Sequence, residues 1–164
     1  MPKKARIPSH LQGDVSECAK QLRDNDTPFW RRTLVRTVFS MIEAFNVSVA
    51  DKAITALVNP RNRKYNISAL ILLSGRDFRI AKNGDITSSN SRHPLLNFTG
   101  FLIRTLAKAG NVRKHCLGQH GWNDFQKAVA IRNRITHPKT KGDAEVSDED
   151  INALMSGVTW YVNS

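Results

Sequence analysis

The sequence predicts a mainly α fold, an up-down helical bundle with one small β-hairpin insertion. Apolar residues recur at three- and four-residue steps in most segments, which places them on one face of a helix. Helix-start signals precede three of these segments, at Asp14, at Thr27-Pro28 and at Ser147. The stretch around Asn83-Gly84 differs, because Phe78 and Ile80 before it and Ile86 after it flank a typical hairpin turn.

The length of the chain fits one folded domain. A chain of 164 residues can bury about two thirds of its unfolded surface. We place the helical domain at residues 27–164 and expect residues 1–26 to form a basic tail and a short helix. Asp14 and Glu17 resemble a capping box, which predicts that this helix starts there and ends near Arg23. Met1–Leu11 should be a mobile tail.

The composition predicts a soluble, cytoplasmic protein. No apolar run approaches the ~20 residues that cross a membrane, and no apolar signal core follows the basic amino terminus. We therefore expect Cys18 and Cys116 to be reduced rather than joined in a disulfide.

Thr27 and Pro28 predict the start of a long helix, with threonine as the cap and proline in the first turn. Asn59-Pro60 should end it. Glu43 is the one acidic residue between Asp26 and Asp51, and it lies in an apolar stretch. The apolar residues of this predicted helix are Phe29, Leu34, Val38, Met41, Ile42 and Phe45.

The secondary structure in the middle of the chain is harder to predict. Tyr65–Leu73 fits either a helix or a strand, because a short apolar run does not separate the two. The hairpin that follows would be an insertion between core helices. Leu95–Ala109 predicts another helix, which Gly110 ends, and Asn111–His120 should be a connecting loop.

Two helices are predicted near the carboxyl terminus. Trp122–Ile135 has one apolar face, and Pro138 cannot continue the helix. After a polar loop, Ser147 and Asp150 form a capping box for a last helix from Asp148 to Val162.

Arg132, Asn133 and His137 lie where the helix Trp122–Ile135 ends. The unpaired carbonyls and the macrodipole of a helix end favour a protonated histidine by about 0.3–1 kcal/mol. An arginine offers a planar two-point contact to a phosphate, and an amide can orient it. Histidine can move protons near neutral pH. These three residues therefore predict a phosphate-handling site.

This stretch, with Pro138 after the histidine, resembles the signature of HEPN domains, which are small helical bundles. Two further segments are similar in their placement. Residues 29–36 begin a long helix that carries Glu43, and the last helix follows the motif. The resemblance covers roughly residues 27–163, and its specific part is the motif helix.

The resemblance implies a metal-independent endoribonuclease, such as a toxin or an antiphage defence effector. Its RNA products would carry 2′,3′-cyclic phosphate and 5′-hydroxyl ends. Arg132, Asn133 and His137 would be catalytic, and a homodimer would face two motifs across a shared cleft. An antitoxin or a defence-system partner is a further implied possibility. The other function class is a non-catalytic module that binds nucleic acid or a protein partner.

Glu43 and Arg132 leave two interpretations open. Glu43 could be a structural ion-pair partner of Arg32, Arg36 or Arg132, with His137 merely capping the helix. It could instead orient Arg132 for catalysis, through the same contact. A role as general base is less suited to it, because a carboxylate beside arginine is held ionised.

The charge of the chain is strongly uneven. The formal net charge is +11, and five acidic residues lie within residues 143–150. The first 142 residues hold all 25 lysines and arginines and nine acids, which leaves +16. Such a basic body predicts a polyanionic partner, here RNA. The residues expected to extend the phosphate-binding surface are Arg31, Arg32, Arg36, Arg134 and Lys139.

His115, Cys116 and His120 form the most compact group of metal-binding residue types, with His93 or Cys18 as a further candidate. Their spacing matches none of the established zinc patterns, so a polar loop is the better interpretation. We expect neither a metal nor a cofactor.

Overall fold

The computed structural model describes residues 8–58, 67–91, 93–108, 117 and 120–163. Its elements, in chain order, are α1 Ser9–Asp24, α2 Pro28–Leu57, α3 Ile67–Leu73, β1 Arg76–Ile80, β2 Ile86–Asn90, α4 Leu95–Lys108, α5 His120–Thr136 and α6 Asp148–Asn163. A short 3₁₀ helix, Gly142–Ala144, lies between α5 and α6. The prediction of a mainly α fold with a small hairpin is confirmed.

Helix α1 starts earlier than predicted. Its hydrogen bonding begins at Pro8, whose carbonyl accepts from the amide of Gln12 at 3.2 Å. The capping box at Asp14 was therefore wrong, because Asp14 lies inside the helix. Residues 9–11, expected in a mobile tail, are helical, and residues 1–7 lie outside the described part. The apolar side of α1 packs on the core through Val15, Cys18, Ala19 and Leu22.

Helix α2 begins as predicted. The Thr27 hydroxyl accepts a hydrogen bond from the amide of Trp30 at 3.3 Å, and Pro28 is the first helical residue. The helix ends at Leu57, and the predicted stop at Asn59-Pro60 lies outside the described residues. The Phe29 side chain is 59% exposed and packs edge-on against Trp30.

Helix α2 runs through two apolar clusters. Its first half meets α1, α5 and α6 in a cluster centred on Phe39, Ile42, Phe125, Ile135 and Leu154. Its second half meets α3 and α4 in a smaller cluster of Val49, Ala50, Ala53, Leu73 and Leu102. Burying these side chains is the main source of stability for the bundle.

The buried side chain of Asn46 lies between the two clusters. Its amide nitrogen donates to Thr99 Oγ1 at 2.8 Å, and its oxygen accepts from the Tyr161 hydroxyl at 2.8 Å. These bonds join α2, α4 and α6. Burial raises the pKa of Tyr161, since a phenolate would be poorly solvated there.

The uncertain segment Tyr65–Leu73 forms the short helix α3 from Ile67 onward, while Tyr65 and Asn66 lie outside the described residues. The hairpin is present as predicted. Ile80 pairs with Ile86 in an antiparallel register, and both strands are exposed along their whole length. Gly84, at φ +86°, gives the turn its left-handed residue.

Helices α5 and α6 pack closely against each other. A Cβ atom added to Gly157 of α6 would lie 2.8 Å from the backbone of Phe125 in α5. The predicted capping box of α6 is formed in both directions: Asp150 N donates to Ser147 Oγ at 3.2 Å, and Ser147 N donates to Asp150 Oδ2 at 3.1 Å. Helix α5 starts at His120, two residues before the predicted start. Most of the loop predicted before it, residues 111–116 and 118–119, lies outside the described part.

Residues 28–55 of α2 are long and apolar enough to cross a membrane by length and composition alone. The sequence-based expectation that no segment reaches this limit was therefore wrong. The side chains of Leu34, Val35 and Val38 are buried against α1, α5 and α6. This packing is compatible with a core helix of a soluble protein.

Candidate active site

The guanidinium of Arg132 is held between an acid and an amide. Its Nη2 donates to Glu43 Oε1 at 2.7 Å, and its Nη1 donates to Asn133 Oδ1 at 3.1 Å. The pair joins α5 to the middle of α2. Of the partners considered for Glu43, Arg132 is therefore the one that it contacts. Both interpretations of Glu43, as structural partner and as orienter, rest on this one contact.

The Glu43–Arg132 pair is only partly shielded from solvent. The Glu43 side chain is 45% exposed and that of Arg132 is 28% exposed. An ion pair in this setting contributes about 0–1 kcal/mol to stability. Its larger effect is to fix the direction of the arginine fork.

His137 lies immediately after the last residue of α5, as predicted. Its backbone amide donates to the carbonyl of Asn133 at 3.0 Å, which extends the helical hydrogen bonding by one residue. Its side chain is exposed. An exposed imidazole at a helix carboxyl end can meet a ligand that approaches from solvent.

The chain after Pro138 turns around the carboxylate of Asp143. Its Oδ2 accepts from the amides of Thr140, at 2.8 Å, and Lys139, at 2.9 Å. These backbone hydrogen bonds, that from Thr140 first and that from Lys139 next, lower the pKa of Asp143. The turn fixes the path of the chain directly after His137.

Arg134 points into a different set of contacts from Arg132. Its Nη2 donates to Asp150 Oδ2 at 2.5 Å, and its Nη1 donates to the carbonyls of Glu145, at 2.6 Å, and Asp143, at 3.3 Å. The acidic segment 143–150 is therefore joined to the motif helix. These hydrogen bonds of Arg134 connect α5 to the start of α6.

The other predicted phosphate-binding residues differ in how far they are engaged. Arg31 pairs with Asp26 and Asp148 and donates to a backbone carbonyl. Arg32 makes one long bond of 3.5 Å to the carbonyl of Ala144. Arg36 and Lys139 are exposed, and Arg36 contacts the carbonyl of Ile135 at 3.4 Å.

Two cavities meet at the Glu43–Arg132 pair. The larger measures about 970 Å³ and lies between α2, α4, α5 and the base of the hairpin. The smaller measures about 200 Å³, and its described lining consists of Arg36, Phe39, Ser40, Glu43, Arg132 and Thr136. Asn133 lines the larger cavity, whereas His137 belongs to the described lining of neither.

His93 is the residue of this site that sequence reasoning did not place there. It lines the larger cavity, bonds to Ser91 Oγ through Nε2 at 3.2 Å and stacks on Phe98 with ring centres 6.0 Å apart. One signal was present: His93-Pro94 repeats the histidine-proline pair of the motif. Asn46, at the wall of the same cavity, was also missed, since nothing local marks it as buried.

No group of three or more potential metal ligands occurs among the described residues. Of the loop residues considered as zinc ligands, His115 and Cys116 lie outside the described part of the chain, as does the side chain of His120.

No protein-family model matches this chain, and no curated protein or solved structure matches it significantly.

Proposed function

We propose that the protein is a metal-independent endoribonuclease of the HEPN type. The observation that carries this proposal is the arrangement at the end of α5. Arg132 is directed by Glu43 and lies beside Asn133, and an exposed His137 follows the helix at once. The motif resemblance and the basic body of the chain support the same function.

RNA cleavage without a metal requires two proton transfers and stabilisation of a phosphorane. The ribose 2′-oxygen loses its proton and attacks the phosphorus, and the bond to the 5′-oxygen of the next nucleotide breaks. That oxygen takes up a proton, which yields 2′,3′-cyclic phosphate and 5′-hydroxyl ends. In our proposal Arg132 binds the phosphate oxygens, Asn133 holds the guanidinium of Arg132 through its Oδ1, and His137 carries out one of the proton transfers.

Glu43 fits the role of a positioning residue better than that of a base. Its carboxylate accepts from Arg132 at 2.7 Å, and a carboxylate beside a guanidinium is a weak base. In the proposed mechanism it keeps the two guanidinium nitrogens directed at the phosphate.

A homodimer through the motif face would supply the second histidine. One imidazole cannot serve both the attacking and the leaving oxygen of one phosphodiester, and a two-fold interface repeats the motif. Light scattering at micromolar concentration should therefore report a dimer. A strict monomer that still cuts RNA would overturn the shared cleft and leave the nuclease proposal standing.

We place this activity in the cytoplasm, as a toxin or an antiphage effector. An antitoxin or a defence-system partner would then restrain it. Both assignments follow from the motif resemblance and the composition.

The deciding experiment is an RNA digest in excess chelator by the wild-type protein and a His137→Ala variant. Loss of an acid–base group should lower cleavage by about 10²–10⁴-fold. Because His137 is exposed, the variant should keep its circular dichroism spectrum and unfolding midpoint. Equal cleavage by both proteins would refute the assignment.

A non-catalytic module that binds nucleic acid is the second candidate. The observation that favours it is the position of His137, outside the described lining of both cavities that Arg132 contacts. Salt-sensitive RNA binding without any cleavage in the same digest would select this candidate.

A further inference from the structure

The two cavities beside Arg132 differ in charge. Arg36 and Arg132 line the smaller one against the single carboxylate of Glu43, a net charge of +1 for its described residues. The described lining of the larger one has Arg132 against Glu43 and Asp51, a net charge of −1 from its arginine and carboxylates. A phosphate is therefore favoured in the smaller cavity and disfavoured in the larger one.

The smaller cavity also has the groups that a phosphate contacts. Arg36 is exposed and has one weak bond, of 3.4 Å, to the Ile135 carbonyl, so its guanidinium retains donors for an anion. Ser40 and Thr136 line the same space, and their hydroxyls donate to the carbonyls of Arg36 and Arg132, so the arginines are the donors for the anion. Its volume of about 200 Å³ suits a small anion and excludes an extended ligand.

The larger cavity has the composition of a pocket for an uncharged, planar group. Leu73, Leu95, Leu96 and Val129 provide apolar wall, and Asn133 and Ser74 provide hydrogen-bonding groups. A volume of about 970 Å³ is at the upper end for pockets that enclose a small ligand.

His93 gives this cavity an aromatic edge whose orientation is already fixed. Its ring is held by the bond to Ser91 and lies at 18° to the ring of Phe98. A fixed aromatic ring is the usual stacking surface for an unpaired base, and stacking contributes about 1–3 kcal/mol per base.

We propose that the two cavities together bind one nucleotide of a single strand. The phosphate lies in the smaller cavity on Arg36 and Arg132, and the base lies in the larger cavity against His93. The Glu43–Arg132 pair, which lines both cavities, separates the two halves of the ligand. That the strand is RNA rests on the proposed function, whereas the division of the site rests on charge and shape.

Calorimetry on the intact protein with inorganic phosphate and with adenosine 3′- and 5′-monophosphate tests this division. The tighter nucleotide should bind about 5- to 150-fold more strongly than phosphate, the range that stacking of one base provides. Equal affinity for phosphate and both nucleotides, or no binding of any of them, would overturn the proposal.

Val47→Trp is the variant that separates the two cavities. Val47 lines the larger cavity and is 60% exposed, so a tryptophan can fill the cavity without entering the core. The variant should bind nucleotide no better than phosphate, with unchanged phosphate affinity. Val162→Trp, at a site on α6 that is 54% exposed and outside the described lining of both cavities, is the matched control and should behave as wild type.

Two further variants test the two halves of the site even where the Val47→Trp protein does not fold. His93→Ala should weaken nucleotide binding alone, and Arg36→Gln should weaken phosphate and nucleotide by a similar factor. Nucleotide binding that His93→Ala leaves unchanged would contradict the base site. If the binding pattern holds but no RNA is cut, the nuclease proposal fails and this inference stands. If RNA is cut and Val47→Trp binds nucleotide as wild type does, the nuclease proposal stands and this inference fails.

Discussion

Arg132 and Arg134 are separated by one residue on the same helix and have different surroundings. Arg132 faces Glu43 and two cavities, whereas Arg134 is bonded to a carboxylate and two carbonyls of the acidic segment 143–150. Two residues along a helix amount to about 200° of rotation, so the two side chains leave opposite sides of α5. In this helix, the arginine that is bonded to Glu43 and Asn133 borders the candidate site, whereas the arginine that is bonded to the acidic segment connects α5 to the start of α6.

The largest expected contrast is between the acid partners of these two arginines. Glu43→Ala should lower RNA cleavage about 10²-fold, since a misdirected guanidinium loses the phosphate, at a stability cost of about 0–1 kcal/mol. Asp150→Ala should cost about 2–3 kcal/mol, because it removes the two bonds that the Asp150 carboxylate accepts, from the Ser147 amide and from Arg134.

Urea unfolding and cleavage rates normalised to folded protein separate these effects. A Glu43→Ala protein that is strongly destabilised but cuts RNA normally would reverse the comparison.

Two glycines test whether the α5–α6 contact positions the motif helix. Gly157→Ala should destabilise the fold by about 1–3 kcal/mol, since the added methyl meets the backbone of Phe125. Gly13→Ala, in α1 with no atom within 4 Å of the added carbon, should stabilise it by about 0.5–1 kcal/mol. Chemical denaturation measures both, and a neutral Gly157→Ala would show that the two helices can separate without cost.

Much of the fold could be predicted because its signals are local. The caps at Thr27 and Ser147 and the turn at Asn83-Gly84 depend on hydrogen bonds and dihedral preferences within a few residues. The prediction from the capping pattern at Asp14 was wrong, because a local pattern does not show that α1 already starts at Ser9. Packing against α2 stabilises this longer helix.

The candidate site could be predicted only in part. The end of α5 places Arg132, Asn133 and His137 by helical spacing alone, and Glu43 was among the partners considered. The ion pair between Arg134 and Asp150, by contrast, depends on how α6 packs against α5. The cavity that contains His93 requires the hairpin base and α4 to approach α2, which no local pattern encodes.

The salt dependence of RNA binding should change when an exposed arginine is replaced and stay the same when an ion-paired arginine is replaced. RNA binding by the first 142 residues, which carry a net charge of +16, should weaken steeply with salt, as counterion release requires. Arg36→Gln should reduce the slope of the logarithmic plot by about one. Arg31→Gln should leave it unchanged for folded protein, because Arg31 is held by Asp26 and Asp148. Fluorescence anisotropy across a salt series checks both, and equal slopes in all three proteins would remove the distinction.

The smallest effect concerns the turn around Asp143. Its pKa is lowered in the folded protein, so the carboxylate stabilises the fold above its ordinary value of 3.8 and loses this effect as the pH falls through the lower folded value. The stability advantage of wild type over Asp143→Asn should therefore be constant near neutral pH, begin to decline near about pH 4 and be lost below the folded pKa. Thermal unfolding across this range measures it, and an advantage that grows in acid would be inconsistent with the turn.

An RNA digest under excess chelator that compares Arg132→Lys with Arg134→Lys tests whether Arg132 binds the phosphate through its planar fork. A lysine keeps the charge but not the planar two-point contact. We predict that Arg132→Lys cuts RNA at least about 10²-fold more slowly with an almost unchanged unfolding midpoint. Arg134→Lys should unfold at a lower temperature and cut normally per folded molecule. Wild-type cleavage by Arg132→Lys, or the same loss in both variants, would show that the fork of Arg132 has no special part in cleavage.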